Sequence, residues 1–527
     1  MLVKLRISSS LFLSSYTPCE CGVFTRTPGC IPIPLGGINF FQRMDEALVD
    51  GCLAVLPRLK GPRGVPLLGF APFLPKNEPF FRVIQKMAEK YGPVTGFYLG
   101  PFLPFISVDG KKAVKEALHN NDLNGRPSGT LLKSRTFGEK LGLVFVDGDF
   151  WQEQRRFTLR HLRDLGFGKT SIEDQMMDEI SDLISDINEA AKSDPDHVVD
   201  FKAIFTVSVF NILWAIIGGK RYQRDDPAFK QLLANVDMFL RGGNIAQVVI
   251  PVPAFLVRLF PSLPSRLGLK DELFVPIQQF IEESIDEHVA TRSKGDAARD
   301  FIDVYLEEME KQFEKDSTFT KKQLIASIQD LFTAGSDTSS GTIGFAVLSM
   351  INYPSIQQKM REELENVCGD SLPSLSHRAS LPYTDAFITE VMRMSSVAPL
   401  GIPHLAMKKT QLLGFTIPKG SIVSVHLNSM LQDTETWGDP ENFRPERHLD
   451  ADGKLVKSEA FTPFGIGKRI CLGESLARNT VFLFTAALAK TFEFKSLPNK
   501  PPPTLEPTIG FVSGPQPFKA VVVPLVH

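Results

Sequence analysis

One ten-residue stretch near the C-terminus constrains the fold of this chain more than any other feature. It covers 464–473 and reads Phe-Gly-Ile-Gly-Lys-Arg-Ile-Cys-Leu-Gly. A single cysteine, Cys471, stands in this glycine-rich loop directly before an apolar helix predicted over 472–488. Free N–H groups at the start of that helix, together with Arg469, predict a lowered pKa for the Cys471 thiol. The loop therefore has the features of a thiolate ligand for iron.

Three glycines of this loop, Gly465, Gly467 and Gly473, are expected to turn the backbone with positive φ and to admit a flat macrocycle. The stretch resembles the haem-binding loop of the cytochrome P450 family. The resemblance implies a mainly α fold with a small β portion (α+β), a single cytochrome P450 fold with a long central helix. It also implies haem b as the cofactor, with the iron axially ligated by Cys471 and with Phe464 and Gly465 against the ring.

Composition limits the class of protein. The 527 residues carry 58 basic and 60 acidic side chains, a net charge of −2, which gives no indication of nucleic-acid binding. Six cysteines in a chain of this length do not make a disulfide framework, and only Cys368 and Cys471 lie beyond residue 52. We expect the part of the chain that carries them to face a reducing compartment, and we predict one catalytic domain over 57–527.

Residues 1–56 are predicted to be an atypical leader without a clear anchor, because prolines, glycines and polar residues interrupt its apolar stretch. Its basic and hydroxyl residues are typical of a mitochondrial transit peptide, and a misassembled first exon is the other interpretation. The proline-rich segment 56–66 is similar to the hinge of microsomal members. We therefore expect the cytosolic face of the endoplasmic reticulum membrane, with mitochondria as the weaker alternative. Contact with the membrane is predicted through five apolar residues, Val248, Val249, Ile250, Val252 and Phe255.

Periodicity and turn residues predict further elements. Two strands are expected over 94–99 and 102–108, and helices over 111–119, from a cap at Asp149 to Arg163, and over 201–217. Two helices joined by a loop are expected within 228–256, and an amphipathic helix after the charged stretch 291–300. Alternation on both sides of Pro418-Lys419-Gly420 predicts a β-hairpin over 412–427.

The next helix is predicted to be unusually long. Thr320 and Gln323 form a capping-box pattern, and no proline follows until Pro354, which predicts about 32 helical residues. Its centre, Ala-Gly-Ser-Asp-Thr-Ser over 334–339, is a poor helical sequence, so a requirement other than stability selects it. Ala334 and Thr338 share one face, and the backbone at residue 335 is expected to open a hydrogen bond for dioxygen and water.

This centre resembles the oxygen-activation motif of the family. The resemblance implies that Thr338 hydrogen-bonds the oxygen being cleaved, that Asp337 helps to relay protons, and that Ala334 leaves room above the ring. Other positions match the family's contacts to the haem propionates: Trp151, Arg155, Arg126, His404 and Arg469. Three more resemble the family's buried glutamate–arginine–arginine lock: Glu390, Arg393 and Arg447. His448 stands where the family usually has an aromatic residue.

The segments expected to face the substrate are mostly apolar, which favours a lipophilic small molecule that enters from a membrane. By resemblance they are 128–144, 236–249, 397–402 and 508–512, with Leu331 and Ala334 on the long helix. The family resemblance implies a haem-thiolate monooxygenase that hydroxylates or epoxidises this molecule with one oxygen atom from O2.

The chain has no glycine-rich dinucleotide fingerprint and no flavin domain, so electrons from NADPH must arrive through a separate flavoprotein reductase. Cytochrome b5 is a second candidate donor. Two alternatives stay open. A haem-thiolate isomerase or dehydratase typically lacks the acid–alcohol pair that this chain keeps at Asp337 and Thr338, and a non-catalytic haem sensor or carrier has no use for a proton relay.

Overall fold

The structure is a computed structural model, and it describes residues 59–65, 69–74, 78–100, 103–169, 172–202, 204–224, 226–242, 274–293, 295–312 and 317–525. The chain divides into two units, 1–54 and 55–527, and every helix and strand of the described ranges belongs to the second. The predicted leader 1–56 and the predicted membrane contact from Val248 to Phe255 lie outside the described residues.

Helices dominate the described chain and confirm the mainly α fold class. In chain order they are α1 Phe80–Tyr91, α2 Lys111–His119, α3 Thr130–Ser134, α4 Gly148–Asp164, α5 Glu173–Ser193, α6 Thr206–Gly218, α7 Pro227–Gly242, α8 Val275–Thr291, α9 Phe301–Lys311, α10 Lys321–Asn352, α11 Pro354–Cys368, α12 Pro382–Ser395, α13 Asn428–Leu431, α14 Thr434–Trp437 and α15 Glu474–Thr491. Short 3-10 turns join several of them, including Pro445–His448 and Gly467–Arg469.

The β portion is small. Its strands are β1 Val94–Leu99, β2 Leu103–Val108, β3 Val198–Asp200, β4 His404–Leu405, β5 Thr410–Leu412, β6 Phe415–Ile417, β7 Ile422–Val425, β8 Phe492–Lys495 and β9 Lys519–Pro524. Within the described residues they form sheets of four, three and two strands, in the orders β1-β2-β7-β4, β3-β9-β8 and β5-β6.

The predicted hairpin over 412–427 is wrong. Its turn lies instead at Leu413 and Gly414, where φ is +48° and +80°, and it joins β5 to β6. Two consecutive positive φ angles are what a two-residue hairpin loop needs. β7 leaves that hairpin and pairs in parallel with β2, with Ile422 opposite Phe105.

α10 confirms the predicted long helix: its 32 residues span about 48 Å. The Thr320 hydroxyl caps it by accepting a hydrogen bond from the Gln323 backbone N–H at 3.1 Å. The other half of the predicted capping box is wrong, because the Gln323 side chain binds Gly142 instead, accepting from its N–H at 2.8 Å and donating to its carbonyl at 3.1 Å. α10 packs against α6, α8, α12 and α15 and so forms the centre of the domain.

Two other predicted helix starts shift. Asp147 is the N-cap residue of α4, so Asp149 lies inside the first turn rather than at the cap. α6 begins at Thr206 rather than at residue 201, because the Phe201 N–H donates to the Phe518 carbonyl at 3.0 Å beside the β3–β9 pair.

The apolar core has two parts. The larger packs the helices around α6, α10 and α15 and includes the buried side chains of Trp214, Phe332 and Phe484. The smaller lies between α2 and the four-stranded sheet. The larger part encloses the cavity of the candidate active site.

Candidate active site

A cavity of about 340 Å³ lies between α10 and the loop that carries Cys471. The predicted site residues that line it are Arg126, Trp151, Arg155, Ala334, Thr338, His404, Phe464, Gly465, Arg469 and Cys471. Asp337 is the predicted site residue that does not line it; its side chain is buried beside the cavity wall, 6% exposed. Residues that are far apart in the chain thus meet around one space.

The cysteine loop is closed by its own backbone. The Cys471 N–H donates to the Phe464 carbonyl at 3.0 Å. Gly467 has φ of +77°, and a Cβ there would lie 2.3 Å from the Leu118 carbonyl oxygen, so this position requires glycine. Gly465 also has positive φ, as predicted, but the expectation for Gly473 is wrong: its φ is −91°, because it is the N-cap residue of α15.

Cys471 is exposed and lines the cavity. Burial raises the pKa of the Cys471 thiol, although the Gly473 N–H and the charge of Arg155 act in the opposite direction. The predicted lowering of this pKa is therefore wrong for the protein's own groups, because desolvation of the thiolate outweighs them. A coordinated metal ion deprotonates a thiol outright.

Three arginines converge on one wall of the cavity: Arg126, Arg155 and Arg469. Their guanidinium groups donate to backbone carbonyls, those of Ile402 and Pro403 at 3.0 Å, Ile470 at 2.6 Å, Asn124 at 2.7 Å and Val146 at 2.8 Å. The indole of Trp151 supports two of them, with the Arg469 guanidinium carbon 3.7 Å and the Arg155 carbon 5.6 Å from the ring centroid.

These arginines carry an excess of buried positive charge. Burial, together with the charge of Arg155, lowers the pKa of Arg469 to about 10, against an opposing effect of Asp147. Burial and the charge of Arg469 hold the pKa of Arg126 well below its usual value. Burial also lowers the pKa of Arg155. An anionic group at this wall would therefore be strongly favoured.

His404 stands beside the arginines. Its Nδ1 lies 2.7 Å from the Leu123 carbonyl, which assigns the proton to Nδ1. Burial, and next the charge of Arg126, hold the pKa of His404 well below its usual value. The neutral ring leaves Nε2 as an acceptor.

The long helix forms the opposite wall. Thr338 and Ala334 both line the cavity, and the Thr338 hydroxyl donates to the Ala334 carbonyl at 2.8 Å. The helix is continuous through Gly335. A Cβ on Gly335 would lie 2.7 Å from Leu213 Cδ1 of α6, so the glycine permits close packing of the two helices.

On α12, Glu390 is bound by two arginines. Arg393 binds it through Nε and Nη2, both at 2.8 Å, and Arg447 Nε lies at 3.0 Å. His448 Nε2 is 2.8 Å from the same carboxylate and its ring packs edge-on against Trp437, so it combines a hydrogen bond with the packing of an aromatic residue. Burial acts to raise the pKa of Glu390, but the hydrogen bonds from Arg393 and His448 lower it to about 2.

Two polar residues of the cavity wall were not singled out from the sequence. Arg135 lies in the segment 128–144, and Asp330 lies one turn before Ala334 on α10; they form a buried ion pair. The four-residue spacing from Asp330 to Ala334 was a usable signal, because it puts both on one helix face. Arg135 has no comparable local signal.

A family model described as cytochrome P450 matches residues 59–522. This chain belongs to the cytochrome P450 family. Cytochrome P450 2B2 of Rattus norvegicus is 36% identical to it over 445 residues, covering 83% of this chain and 87% of that protein. Cytochrome P450 2J2 of Homo sapiens is 35% identical over 471 residues, covering 88% and 91%. Farnesoate epoxidase of Bombyx mori is 32% identical over 441 residues, covering 84% and 87%.

Cytochrome P450 proteins bind haem b through a cysteine thiolate and are monooxygenases, and this chain is a member of that enzyme class. The cavity fits the cofactor on its own chemistry. A thiol faces it from the Cys471 loop, an excess of buried positive charge lies at one wall where two propionates need cations, and the small side chain of Ala334 leaves space on α10.

Family membership also implies a redox partner and a lipophilic substrate. Across the described ranges, no helix has both the length and the apolar character needed to cross a membrane.

Proposed function

We propose that this cytochrome P450 hydroxylates or epoxidises a lipophilic small molecule, with electrons from NADPH delivered by a separate flavoprotein reductase and, as a second donor, cytochrome b5. One observation carries the proposal: a thiol, a cationic wall and a hydroxyl-bearing helix enclose one mostly apolar cavity. When bound, haem b supplies the iron that activates dioxygen. The protein's task is to hold that group, exclude bulk water and place one proton.

Cys471 is proposed as the axial ligand, and Arg126, Arg155 and Arg469 as the partners of the two propionates. His404 joins them by taking up a proton at Nε2 when a carboxylate lies next to it. Each propionate would then offset part of the positive charge that lowers the pKa of these arginines. Haem binding would therefore be favoured by the loss of this charge repulsion.

Thr338 is proposed as the residue that controls proton delivery. Its hydroxyl hydrogen is engaged by the Ala334 carbonyl, so its oxygen is left to accept a hydrogen bond in the cavity. That oxygen would hold, by accepting a hydrogen bond, a donor group on the cavity side of α10. Asp337, buried next to it, is proposed to pass protons towards Thr338 without touching the substrate.

The substrate class follows from the lining and from the relatives. Helix α6 contributes Val209, Ile212, Leu213 and Ile216 to the cavity, all apolar. The Bombyx mori relative is named for epoxidation of farnesoate. We infer a lipophile of the terpenoid, steroid, fatty-acid or xenobiotic kind for this chain.

We also propose the cytosolic face of the endoplasmic reticulum membrane as its location, on the likeness of its domain to microsomal members. Fractionation of the endogenous protein with N-terminal sequencing tests this. Recovery from the mitochondrial matrix, cleaved before residue 56 and reduced by a ferredoxin, would contradict both location and partner.

The ligand assignment is tested with Cys471→Ala and the matched control Cys368→Ala, the other described free cysteine. Cys471→Ala should abolish the strongly red-shifted Soret band of the reduced carbon monoxide complex, because no soft anionic ligand remains in the loop. Cys368→Ala should keep it. A normal band in the Cys471 variant would sink the assignment.

The role of Thr338 is tested by Thr338→Ala, with Thr342→Ala one turn further along α10 as the control. Haem content and substrate-binding spectra should stay unchanged, while a larger share of the NADPH consumed yields hydrogen peroxide instead of product. Unchanged coupling of NADPH to product would argue against the role.

A further inference from the structure

Arg135 and Asp330 form a buried ion pair in the wall of the cavity, joined between Nη1 and Oδ1. They are 2% and 4% exposed. Nearby lining residues are apolar, among them Phe145, Leu331 and Val209. A charged pair in such surroundings is expensive to bury unless every polar atom is used.

Asp330 is fully used. Its Oδ2 accepts hydrogen bonds from the Leu143 N–H at 2.6 Å and the Val144 N–H at 2.9 Å, in addition to the bond from Arg135 to Oδ1. The Gln278 side chain holds the backbone of Arg135 by donating to its carbonyl at 2.9 Å. The pair is therefore fixed in position before any ligand arrives.

Arg135 is only partly used. Its Nε and Nη2 are themselves buried and have no hydrogen-bond partner in the part of the chain that the structure describes. These two nitrogens form one edge of the planar guanidinium, with parallel N–H groups that match the two oxygens of a carboxylate. The ring of Phe145 lies 5.2 Å from the guanidinium carbon and supports its plane.

We propose that Arg135 binds the carboxylate of a lipophilic acid and thereby selects the carbon that is oxidised. The inference rests on the proposed function, because it takes this cavity as the substrate pocket. Asp330 precedes Thr338 by eight residues on α10, a separation of about 12 Å along the helix axis. The carboxylate is thus anchored far from the oxidised position, so a chain-like acid is oxidised remote from its acid group.

An amine is disfavoured as the anchored group. Asp330 already accepts three N–H groups, and an ammonium ion would have to displace Arg135 from it. A neutral ester offers one acceptor to an edge that presents two donors, so it binds more weakly than the carboxylate.

The experiment uses the haem-loaded protein at neutral pH with three probes, dodecanoic acid, methyl dodecanoate and dodecylamine, titrated by the change in the Soret spectrum. We expect the acid to bind at least about tenfold more tightly than the ester, as for a charge-assisted hydrogen bond. Arg135→Lys keeps a cation for Asp330 but removes the two-donor edge. This variant should bind dodecanoic acid roughly tenfold to a hundredfold more weakly, and its affinity for the methyl ester should change less than about twofold.

Surface Arg82→Lys serves as the matched control and should change the affinity for neither the acid nor the ester. With added reductase, wild type should oxidise the acid at few, remote carbons, and Arg135→Lys should scatter the products. Equal affinity for acid and ester, or equal weakening of both by Arg135→Lys, would overturn the proposal, as would tightest binding of dodecylamine. If the proposed monooxygenase function is wrong, no probe should give an oxygenated product. The binding titration does not depend on turnover, so it tests the Arg135 proposal separately.

Discussion

Two groups of arginines differ in whether the chain itself supplies a carboxylate to pair with them. Around Glu390, Arg393 and Arg447 share one carboxylate whose pKa is lowered to about 2. At the cavity, Arg126 and Arg469 donate to backbone carbonyls, and burial together with the charge of a neighbouring arginine lowers the pKa of each. The first group has its counter-charge within the chain, while the second keeps an excess of positive charge that Asp147 offsets only in part.

This difference separates structural arginines from ligand-binding ones without reference to their position in the sequence. A guanidinium that is matched by an internal carboxylate stabilises the fold, and its removal should damage the fold. A guanidinium that is buried without one carries an uncompensated charge, so an anionic partner from outside the chain should stabilise it. Arg135 is intermediate, because Asp330 matches its charge but leaves two of its donors unused.

The largest effect is expected from Glu390→Gln, which leaves Arg393 and Arg447 buried without a counter-charge. We expect the free energy of unfolding to fall by about 3–5 kcal/mol, measured by urea unfolding with circular dichroism. As the control, Glu446→Gln removes a half-exposed carboxylate that pairs with Lys359, and it should change stability by less than about 1 kcal/mol.

The stability lost in Glu390→Gln should depend on pH. The folded-state pKa of Glu390 lies near 2, below its unfolded value of about 4.3, so its contribution is complete above the unfolded pKa and is lost as pH falls towards 2. The stability difference between wild type and Glu390→Gln should therefore shrink between about pH 5 and pH 2. A stability difference that stays constant across this range would show that ionisation of Glu390 does not stabilise the fold.

An intermediate effect is expected from Arg469→Gln at the cavity. The loss of one cation should weaken haem binding roughly tenfold to a hundredfold, as for a charge-assisted hydrogen bond to a carboxylate, and haem content per protein measures it. Stability of the haem-free chain should fall less than in Glu390→Gln, because relief of buried charge offsets the lost hydrogen bonds to the Asn124 and Val146 carbonyls. Arg82→Gln on the surface is the control. Full haem content in Arg469→Gln would remove the distinction between the two arginine groups.

The sequence alone was most informative where the chemistry is contiguous. The 464–473 loop, the cap at Thr320 and the length of α10 depend on neighbours within a few residues, so their patterns were readable. The hairpin over 412–427 failed because β7 takes its partner, β2, from more than 300 residues away. Arg135 and Asp330 are separated by 195 residues, and no local sequence pattern predicts that they form an ion pair.

The smallest expected effect concerns the loop that holds this pair, and it uses two glycines of that loop, Gly142 and Gly138. Both have positive φ, +96° and +78°. A Cβ on Gly142 would lie 2.3 Å from Asp330 Oδ2, whereas a Cβ on Gly138 would meet nothing within 4 Å. Gly138→Ala should therefore show the conformational strain alone, about 1 kcal/mol.

Gly142→Ala adds displacement of Asp330 to the same strain, so we expect a loss of about 2 kcal/mol in the free energy of unfolding and weaker binding of dodecanoic acid. Haem content should not change, because the cationic wall has no contact with this glycine. Urea unfolding and Soret titration of both variants make the comparison. Equal losses in the two variants would mean that the loop tolerates movement of Asp330, and that the Arg135 edge is not held in advance for its ligand.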